Sequence, residues 1–432
     1  MIDILKDLIL RFFYTYENFK STIWLYLTVA VSNLFFVIAF IYIAQFYEVK
    51  EFGLFNYLFA FFSLFFLLSD FGTHENFVRD YQLVKDEKEK IKLINNAFIF
   101  KLTINIFLII LASAIYFVLK EFENKTTYFL IIIYFILSSL RGFFHSFFIA
   151  RQETKKLFLP TFFEALISLL FLIIFSSFQK TIFSIFLSLI LGNIVSVIFL
   201  FFFFKRYYSF NLNFYDRNQF IYFLKNGFPL VLFGSLTYIF FESDKIFLAH
   251  YWEFEDVAYF SAVTRIIYVI ISLIYVFYTA FYPFLSKNIN SYKSMKRIFK
   301  NMIFLSFLLG SLFSFLTFIL SPILIKIIYG PNYLVSISIL RLYSLILIPL
   351  AIVIFFDNFL VSTKNQILDF YITLIPAFFN IFLNFILIPR FGINGAIVSN
   401  YSAQILNLIL SFFVSYYVLL KLGKNEKLAF KA

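Results

Sequence analysis

The sequence predicts an all-α, polytopic membrane protein, and three observations carry that reading. The 432 residues are 62% hydrophobic and only 14% charged. Their mean hydropathy is +0.90. Twelve apolar runs recur along the chain, each close to the roughly 20 residues needed to cross a bilayer core. A water-facing exterior needs far more charge than this, so the apolar surface must face lipid.

The elements follow in order. The N-terminal "MIDILKDLILRFFYTYENFK" does not fit a signal peptide, because Asp3, Lys6, Asp7 and Arg11 interrupt its apolar residues. Ile2, Leu5, Leu8, Ile9, Phe12, Phe13 and Tyr16 share one helical stripe, which predicts an amphipathic helix lying on the membrane surface. The twelve runs lie near 21–45, 52–73, 97–119, 128–150, 158–178, 182–204, 228–249, 258–286, 301–325, 336–361, 369–388 and 395–420. The longest connections are "RDYQLVKDEKEKIKLINN" and "KRYYSFNLNFYDRNQFIYFLKN", so no separate extramembrane domain is expected. Cysteine is absent, which excludes disulfides and thiolate metal sites. The three histidines, His74, His145 and His250, lack metal-ligand spacing, and no cofactor or metal is expected.

Orientation follows from the basic residues. With both termini placed in the cytoplasm, the inner segments hold 25 of the 36 Lys and Arg residues and the outer loops only 6. The formal charge of +12 is thus a cytoplasmic bias, and nucleic acid is not an expected partner.

A repeat then divides the chain. "AQFYEVKEFGLF" (44–55) is matched without a gap by "AHYWEFEDVAYF" (249–260). Ala44 aligns with Ala249, Glu48 with Glu253, Gly53 with Ala258 and Phe55 with Phe260. Both stretches are outer turns, before spans 2 and 8. An offset of six spans keeps the same side of the membrane, so the halves are expected to be parallel repeats about a pseudo-twofold axis along the membrane normal. The predicted domains are an N-terminal six-helix bundle (1–204), a cytoplasmic linker (205–226) and a C-terminal six-helix bundle (227–432).

Four stretches carry a family resemblance. They are "YEVKEFGLFNYLFAFFSLFFLLSDFG", "SDKIFLAHYWEFEDVAYFSAVTRI", "YGPNYLVSISILRL" and "LIPRFGINGAIVSN". Together they resemble the bacterial O-antigen and exopolysaccharide flippases, the polysaccharide transporters of the multidrug/oligosaccharidyl-lipid/polysaccharide exporter superfamily. The resemblance covers essentially the whole chain. It implies that an undecaprenyl-diphosphate-linked oligosaccharide is moved from the inner to the outer leaflet by alternating access between two bundles. It further implies the bacterial cytoplasmic (inner) membrane as location, membrane lipids as surroundings, and polysaccharide polymerase and chain-length proteins as candidate partners. Gly53, Gly392 and Gly395 are read as tight-turn residues, and Pro331 and Pro389 as markers of helix ends.

Charges within spans are the candidate site, because each costs about 2.5–3.5 kcal/mol at a bilayer centre unless it meets water or a partner. Arg141, Lys245, Arg265 and Arg341 are the cations expected to offer charge-assisted hydrogen bonds to a diphosphate. Glu242, Asp244, Glu164 and Asp357 are the acids expected to serve coupling or ion pairing. Asp70, Glu75, Arg79 and Lys101 lie near the inner ends of spans 2 and 3. A purely structural reading stands beside this one. Glu242 and Lys245 are spaced to neutralise each other. Lys245 and Arg341 could snorkel to the outer surface, and Glu164 and Asp357 to the inner one. A cation-coupled drug or metabolite antiporter is the transport alternative, although its cavity should favour acids. A membrane polymerase or glycosyltransferase is the enzyme alternative, and the short loops weigh against it.

Overall fold

The computed structural model describes residues 2–119, 125–208, 215–287, 289 and 291–429. Among these, the regular elements are helical: α1 (Ile2–Phe46), α2 (Val49–Asp70), α3 (Thr73–Leu83), α4 (Glu87–Leu119), α5 (Lys125–Ala150), α6 (Lys155–Phe178), α7 (Ile182–Lys205), α8 (Arg217–Tyr251), α9 (Phe254–Lys287), α10 (Tyr292–Ile328), α11 (Val335–Ser344), α12 (Leu347–Ser362) and α13 (Gln366–Ala429), with a 3₁₀ turn at Pro331–Tyr333. The side chains of the N-terminal stripe and the linker segment 209–214 lie outside the described residues. Among the described residues, nine helices are long and apolar enough to cross a membrane, and the bent pair α11–α12 makes a tenth. With α13 counted as two helices and the 35-residue α8 added, the helices correspond to the twelve apolar runs.

The distribution of polarity is that of a lipid-solvated protein. Phe304, Phe307, Phe315 and Ile319 are exposed on α10, while Ser306, Ser314, Thr317 and Ser321 of the same helix are buried. Water would reverse that arrangement; hydrocarbon on the outside stabilises it. The protein is therefore a multi-pass membrane protein.

Two compact units are present. The first comprises Met1–Glu48 and Phe61–Ser235, and the second Val49–Ala60 and Leu236–Ala432. In the first unit, α6, α7, α5 and α1 pack side by side. Ser184, Ser188, Gly192 and Ser196 of α7 recur every fourth residue and are all buried, so one face of the helix is made of small residues and can approach its neighbour closely. At Gly192 a Cβ would lie 2.5 Å from the Glu164 carbonyl oxygen of α6. Gly192→Leu is therefore expected to force the α6–α7 pair apart and cost about 1–3 kcal/mol, read as a lower melting temperature in detergent. An unchanged melting temperature would show that the pair tolerates separation. One end of this unit is aromatic, with Phe77, Phe100, Phe143, Phe147 and Phe204 in one buried cluster.

The turn between α5 and α6 is held by charge. Arg151 donates to Glu153 Oε1 at 3.1 Å, and Lys156 donates to Glu153 Oε2 at 2.5 Å. Burial pushes the Glu153 carboxyl up, but the hydrogen bonds from Lys156 and Arg151 outweigh it and hold the group below its ordinary value of 4.5. A carboxyl depressed in the folded state adds stability that is present above 4.5 and lost as pH falls below it. Glu153→Gln should flatten the acid limb of the melting curve below that pH. Parallel acid limbs for both proteins would exclude this contribution.

In the second unit, α12 packs between α10, α9 and α13. Gly310 of α10 permits this, since a Cβ there would lie 2.8 Å from the Leu347 carbonyl oxygen and from Ile348 Cα. Span 10 is not one straight helix: α11 and α12 meet at a bend of 46°. Pro349 lacks the N–H that a continuous helix would donate to the Leu345 carbonyl, which places the bend one turn before it. Gly392 breaks α13 at φ 54°, ψ −130°, a conformation open mainly to glycine. The break strands the Ile388 carbonyl, which a continuous helix would bond to residue 392. Trp252 Nε1 donates to it at 2.7 Å, and the indole sits where a Cβ at Gly392 would point.

Gly53 departs from its expected role. It lies inside α2, not in a turn, and its missing Cβ would collide with the Phe254 carbonyl and lie 3.2 Å from Ala258 N. The repeat-matched pair Gly53 and Ala258 are thus neighbours, and the glycine serves close packing.

Candidate functional site

Intramembrane polar groups gather in each unit. In the second unit, α8 carries Glu242, Ser243, Asp244 and Lys245 on consecutive positions, so the four point around most of the helix. Lys245 is 1% exposed. It donates to Glu242 Oε2 at 2.5 Å and lies over the Tyr268 ring at 5.8 Å. It does not snorkel; its ammonium is satisfied within the helix bundle. Arg265 of α9 lies within electrostatic range of Lys245 and Tyr268.

Asp244, also 1% exposed, faces away from this pair into a cage of amides. Asn384 Nδ2 donates to Oδ1 at 2.6 Å, and Asn400 Nδ2 donates to Oδ2 at 2.7 Å. Asn380 completes the cage, its Oδ1 accepting from Asn384 Nδ2 at 3.0 Å and from Ser243 Oγ at 3.3 Å. Asn380, Asn384 and Asn400 are buried. Asn384 Oδ1 is buried and accepts no hydrogen bond, although a buried amide oxygen normally has a donor. One carboxylate, three amides and a hydroxyl thus converge in a space closed to lipid. The break at Gly392 makes this possible, because it lets the Asn384 and Asn400 halves of α13 approach α8 from two directions.

In the first unit, Arg141 of α5 forms an ion pair with Glu164 of α6, with side-chain exposures of 25% and 11%. The second oxygen, Glu164 Oε2, is buried without a partner. Glu164 is thus committed to Arg141. One turn further along α5, His145 Nε2 is likewise buried and unpartnered. Lys101 of α4 donates to Asp70 Oδ1 at 3.1 Å. Asp70 also accepts from the His74 backbone N–H at 3.4 Å, where α2 ends in two left-handed residues, Phe71 and Gly72. Ser139 and Asn105 exchange hydrogen bonds of 2.8 and 3.0 Å beside this pair.

The remaining candidates stand apart. Arg341 is exposed on α11, donates to Ser321 Oγ at 3.2 Å and lies over the Phe318 ring at 5.4 Å. Asp357 of α12 is an electrostatic neighbour of the Asp369 carboxyl of α13, whose Oδ1 is buried without a hydrogen-bond partner. Sequence reasoning singled out the charges but not the asparagines. Asn380 and Asn384 are spaced i, i+4 in "NIFLN", and Asn400, Gln404 and Asn407 recur at i, i+4, i+7 in "NYSAQILN". A one-sided row of amides on an apolar helix was the available signal.

Comparison with known proteins places this arrangement. A sequence profile described as "Polysaccharide biosynthesis protein" matches residues 19–289. The chain belongs to that family. A second profile, MatE, matches residues 229–386. No curated protein matches. Among solved structures, the chain is similar to the lipid II flippase MurJ in an inward closed conformation, at 20% identity and a TM-score of 0.69, over 94% of this chain and 91% of that one. It is also similar to a multidrug resistance MATE family transporter of the MOP superfamily. The inward-facing form gives 12% identity and a TM-score of 0.71, over 93% of this chain and 99% of that one. The outward-facing form gives 15% and 0.61, over 94% and 96%. The polysaccharide biosynthesis protein therefore has the fold shared by flippases and transporters of this superfamily. The proteins it resembles are transporters, not enzymes.

Proposed function

We propose that this polysaccharide biosynthesis protein is a flippase that carries an undecaprenyl-diphosphate-linked oligosaccharide from the inner to the outer leaflet of the bacterial cytoplasmic membrane. The family match over 19–289 carries the reading. The halves 1–204 and 227–432, joined by the cytoplasmic linker 205–226, alternate in access, with both termini in the cytoplasm. That proposal is in keeping with a fold shared with proteins solved in inward-facing and outward-facing forms. Polysaccharide polymerase and chain-length proteins are the candidate partners downstream.

Arg141, Lys245, Arg265 and Arg341 offer the diphosphate charge-assisted donors along its path. The ion pairs give this path a mechanism. Arg141 and Lys245 rest on Glu164 and Glu242, so an incoming diphosphate exchanges with a carboxylate and does not meet a bare charge. Such an exchange keeps each buried cation compensated throughout, which is the condition for a low barrier in a poorly solvated site. Coupling is assigned to the acids, with Asp244 at the centre. A proton on Asp244 would weaken the hydrogen bonds it now accepts from Asn384 and Asn400. A monovalent cation would turn the amide oxygens of Asn380, Asn384 and Asn400 toward it. Either ligand therefore changes how the two halves of α13 are held against α8. Only a ligand that distinguishes two states can drive them. Asp357, close enough to Asp369 for the two carboxyls to influence each other, is the second candidate acid.

The test is passage of a labelled polyprenyl-diphosphate oligosaccharide across proteoliposomes, for wild type, Arg141→Ala and Arg265→Ala. Protein-dependent crossing that falls in either variant supports the flippase and its cationic path. Crossing unaffected by both would reduce these residues to structural charges. The MatE match over 229–386 and the buried Asp244 cage favour one second reading, a cation-coupled drug or metabolite antiporter. Absence of crossing under proton and sodium gradients, with gradient-driven cation uptake retained, would select it.

A further inference from the structure

A second polar site lies wholly within the first unit, and the proposed transport path makes no use of it. A cavity of about 310 Å³ opens between the end of α3, the start of α4 and the turn after α5. Tyr81, Gln82, Glu87, Lys90, Arg151 and Gln152 supply its polar wall. Its size falls at the lower end of small-ligand sites, adequate for a phosphoryl group and a few atoms beyond it. The segments 79–96 and 151–157 that build it carry eight of the chain's Lys and Arg residues. By the charge bias this is the cytoplasmic surface.

The two cations are fixed on the same tyrosine. Arg151 Nη1 donates to Tyr81 Oη at 3.1 Å, and Lys90 Nζ lies over the Tyr81 ring at 5.3 Å. Arg151 is held further by Glu153, through Nε at 3.2 Å and Nη2 at 3.1 Å, and by the Tyr207 ring under its guanidinium at 4.3 Å. Five N–H groups less these three leave Arg151 two donors. Lys90 donates once, to Glu87 at 2.8 Å, and keeps two. Gln82 spends one amide hydrogen on the Ala150 carbonyl and keeps the other. Donors in excess, on cations already immobilised, make a site whose ordering cost is met before a ligand arrives.

Acidic neighbours do not cancel it. Glu87 is the carboxylate in the wall, and its side chain is 77% exposed. An exposed i, i+3 pair contributes only about 0.2–0.5 kcal/mol, so a phosphate can displace it from Lys90. Glu153 is absent from the cavity wall and orients Arg151.

We infer that this cavity binds a phosphate ester at the cytoplasmic membrane surface, with Arg151 and Lys90 as its charge-assisted donors and Gln82 and Tyr81 framing it. The phosphate belongs to an anionic phospholipid headgroup or to a soluble phosphate ester, which share that chemistry. Glu87 opposes the ligand, which gives variants of opposite sign.

Full-length wild type, Arg151→Gln, Lys90→Gln and Glu87→Gln are placed in phosphatidylcholine nanodiscs and matched by melting temperature. In one arm phosphatidylglycerol is added to the nanodiscs; in the other, glycerol 3-phosphate is titrated. Hydrogen exchange of residues 81–90 and 148–156 reads occupancy. Protection is expected to appear with at least one probe, to weaken about tenfold in Arg151→Gln and Lys90→Gln, and to strengthen in Glu87→Gln. A response to phosphatidylglycerol alone assigns a lipid headgroup. A response to glycerol 3-phosphate assigns a soluble ester. Protection by neither probe, equal protection in all four proteins, or weaker protection in Glu87→Gln overturns the site. Lys90 and Glu87 lie at the rim, so their variants keep the test open should Arg151→Gln lose its fold.

Discussion

Asp244→Asn is expected to leave the protein folded and to abolish the response of transport to an ion gradient. The substitution changes charge with almost no change in shape, inside a cage built from three amides. The new amide presents N–H where Asp244 now accepts from Asn384 at 2.6 Å and from Asn400 at 2.7 Å, so one donor pair must rearrange. The cage can absorb this, because Asn384 Oδ1 is buried with no donor and can accept once its amide turns. The folded state should therefore lose little, about 1–2 kcal/mol at most for one imperfect hydrogen bond. Coupling should lose far more. Without the carboxylate, neither a proton nor a cation distinguishes the two states, and the coupling free energy vanishes. Typical couplings are worth about 5- to 150-fold, and crossing driven by a proton or sodium gradient should fall by that factor. Comparison of rates with and without a gradient, in wild type and variant, is the measurement. A variant that retains full gradient dependence would remove Asp244 from the coupling mechanism.

The pair Arg141–Glu164 should show the second large effect, and here stability and transport separate. Removing one partner leaves the other charge inside the helix packing, at about 3–5 kcal/mol. Glu164→Ala strands a guanidinium. Arg141→Ala strands a carboxylate whose second oxygen already lacks a donor. Replacing both, as in Arg141→Met with Glu164→Leu, leaves no charge to strand and should return the melting temperature close to wild type. A double-mutant cycle in detergent gives the interaction directly. Transport then discriminates between the two roles of Arg141. If the arginine serves only to neutralise Glu164, the double variant transports. If it exchanges Glu164 for a diphosphate, the double variant folds and does not transport. Additive destabilisation in the double variant would contradict the pairing itself.

Much of this was legible in the sequence because a bilayer imposes simple rules. Length and hydropathy of the apolar runs predicted the helices, since about 20 residues are needed wherever the chain crosses. Trp252 and Gly392 illustrate the limit: both were visible as residues, but nothing local says that an indole 140 positions earlier would cap the carbonyl freed at a glycine break. The bend between α11 and α12 was hidden for a related reason. Pro349 falls three residues past the break that it causes, inside a run apolar throughout.

The charges divide the same way. Their presence in lipid-facing helices is a one-dimensional fact, and Arg141, Glu164, Glu242, Asp244 and Lys245 stood out on cost alone. Glu242 with Lys245 was even readable as a pair, since three residues on one helix fix their separation. Whether Glu164 reaches solvent or Arg141, and whether Asp244 faces its neighbour Lys245 or three asparagines more than 130 residues away, depends on helix rotation and the crossing of separate helices. Those are set by close packing at Gly192 and Gly310, where the absence of a side chain lets backbones meet, and by the helix break at Gly392. The sequence by itself determined that this chain is a bundle of lipid-solvated helices with costly charges inside. Only the tertiary structure decided which partner each charge has, because compensation in a poorly solvated interior is a property of distance in three dimensions.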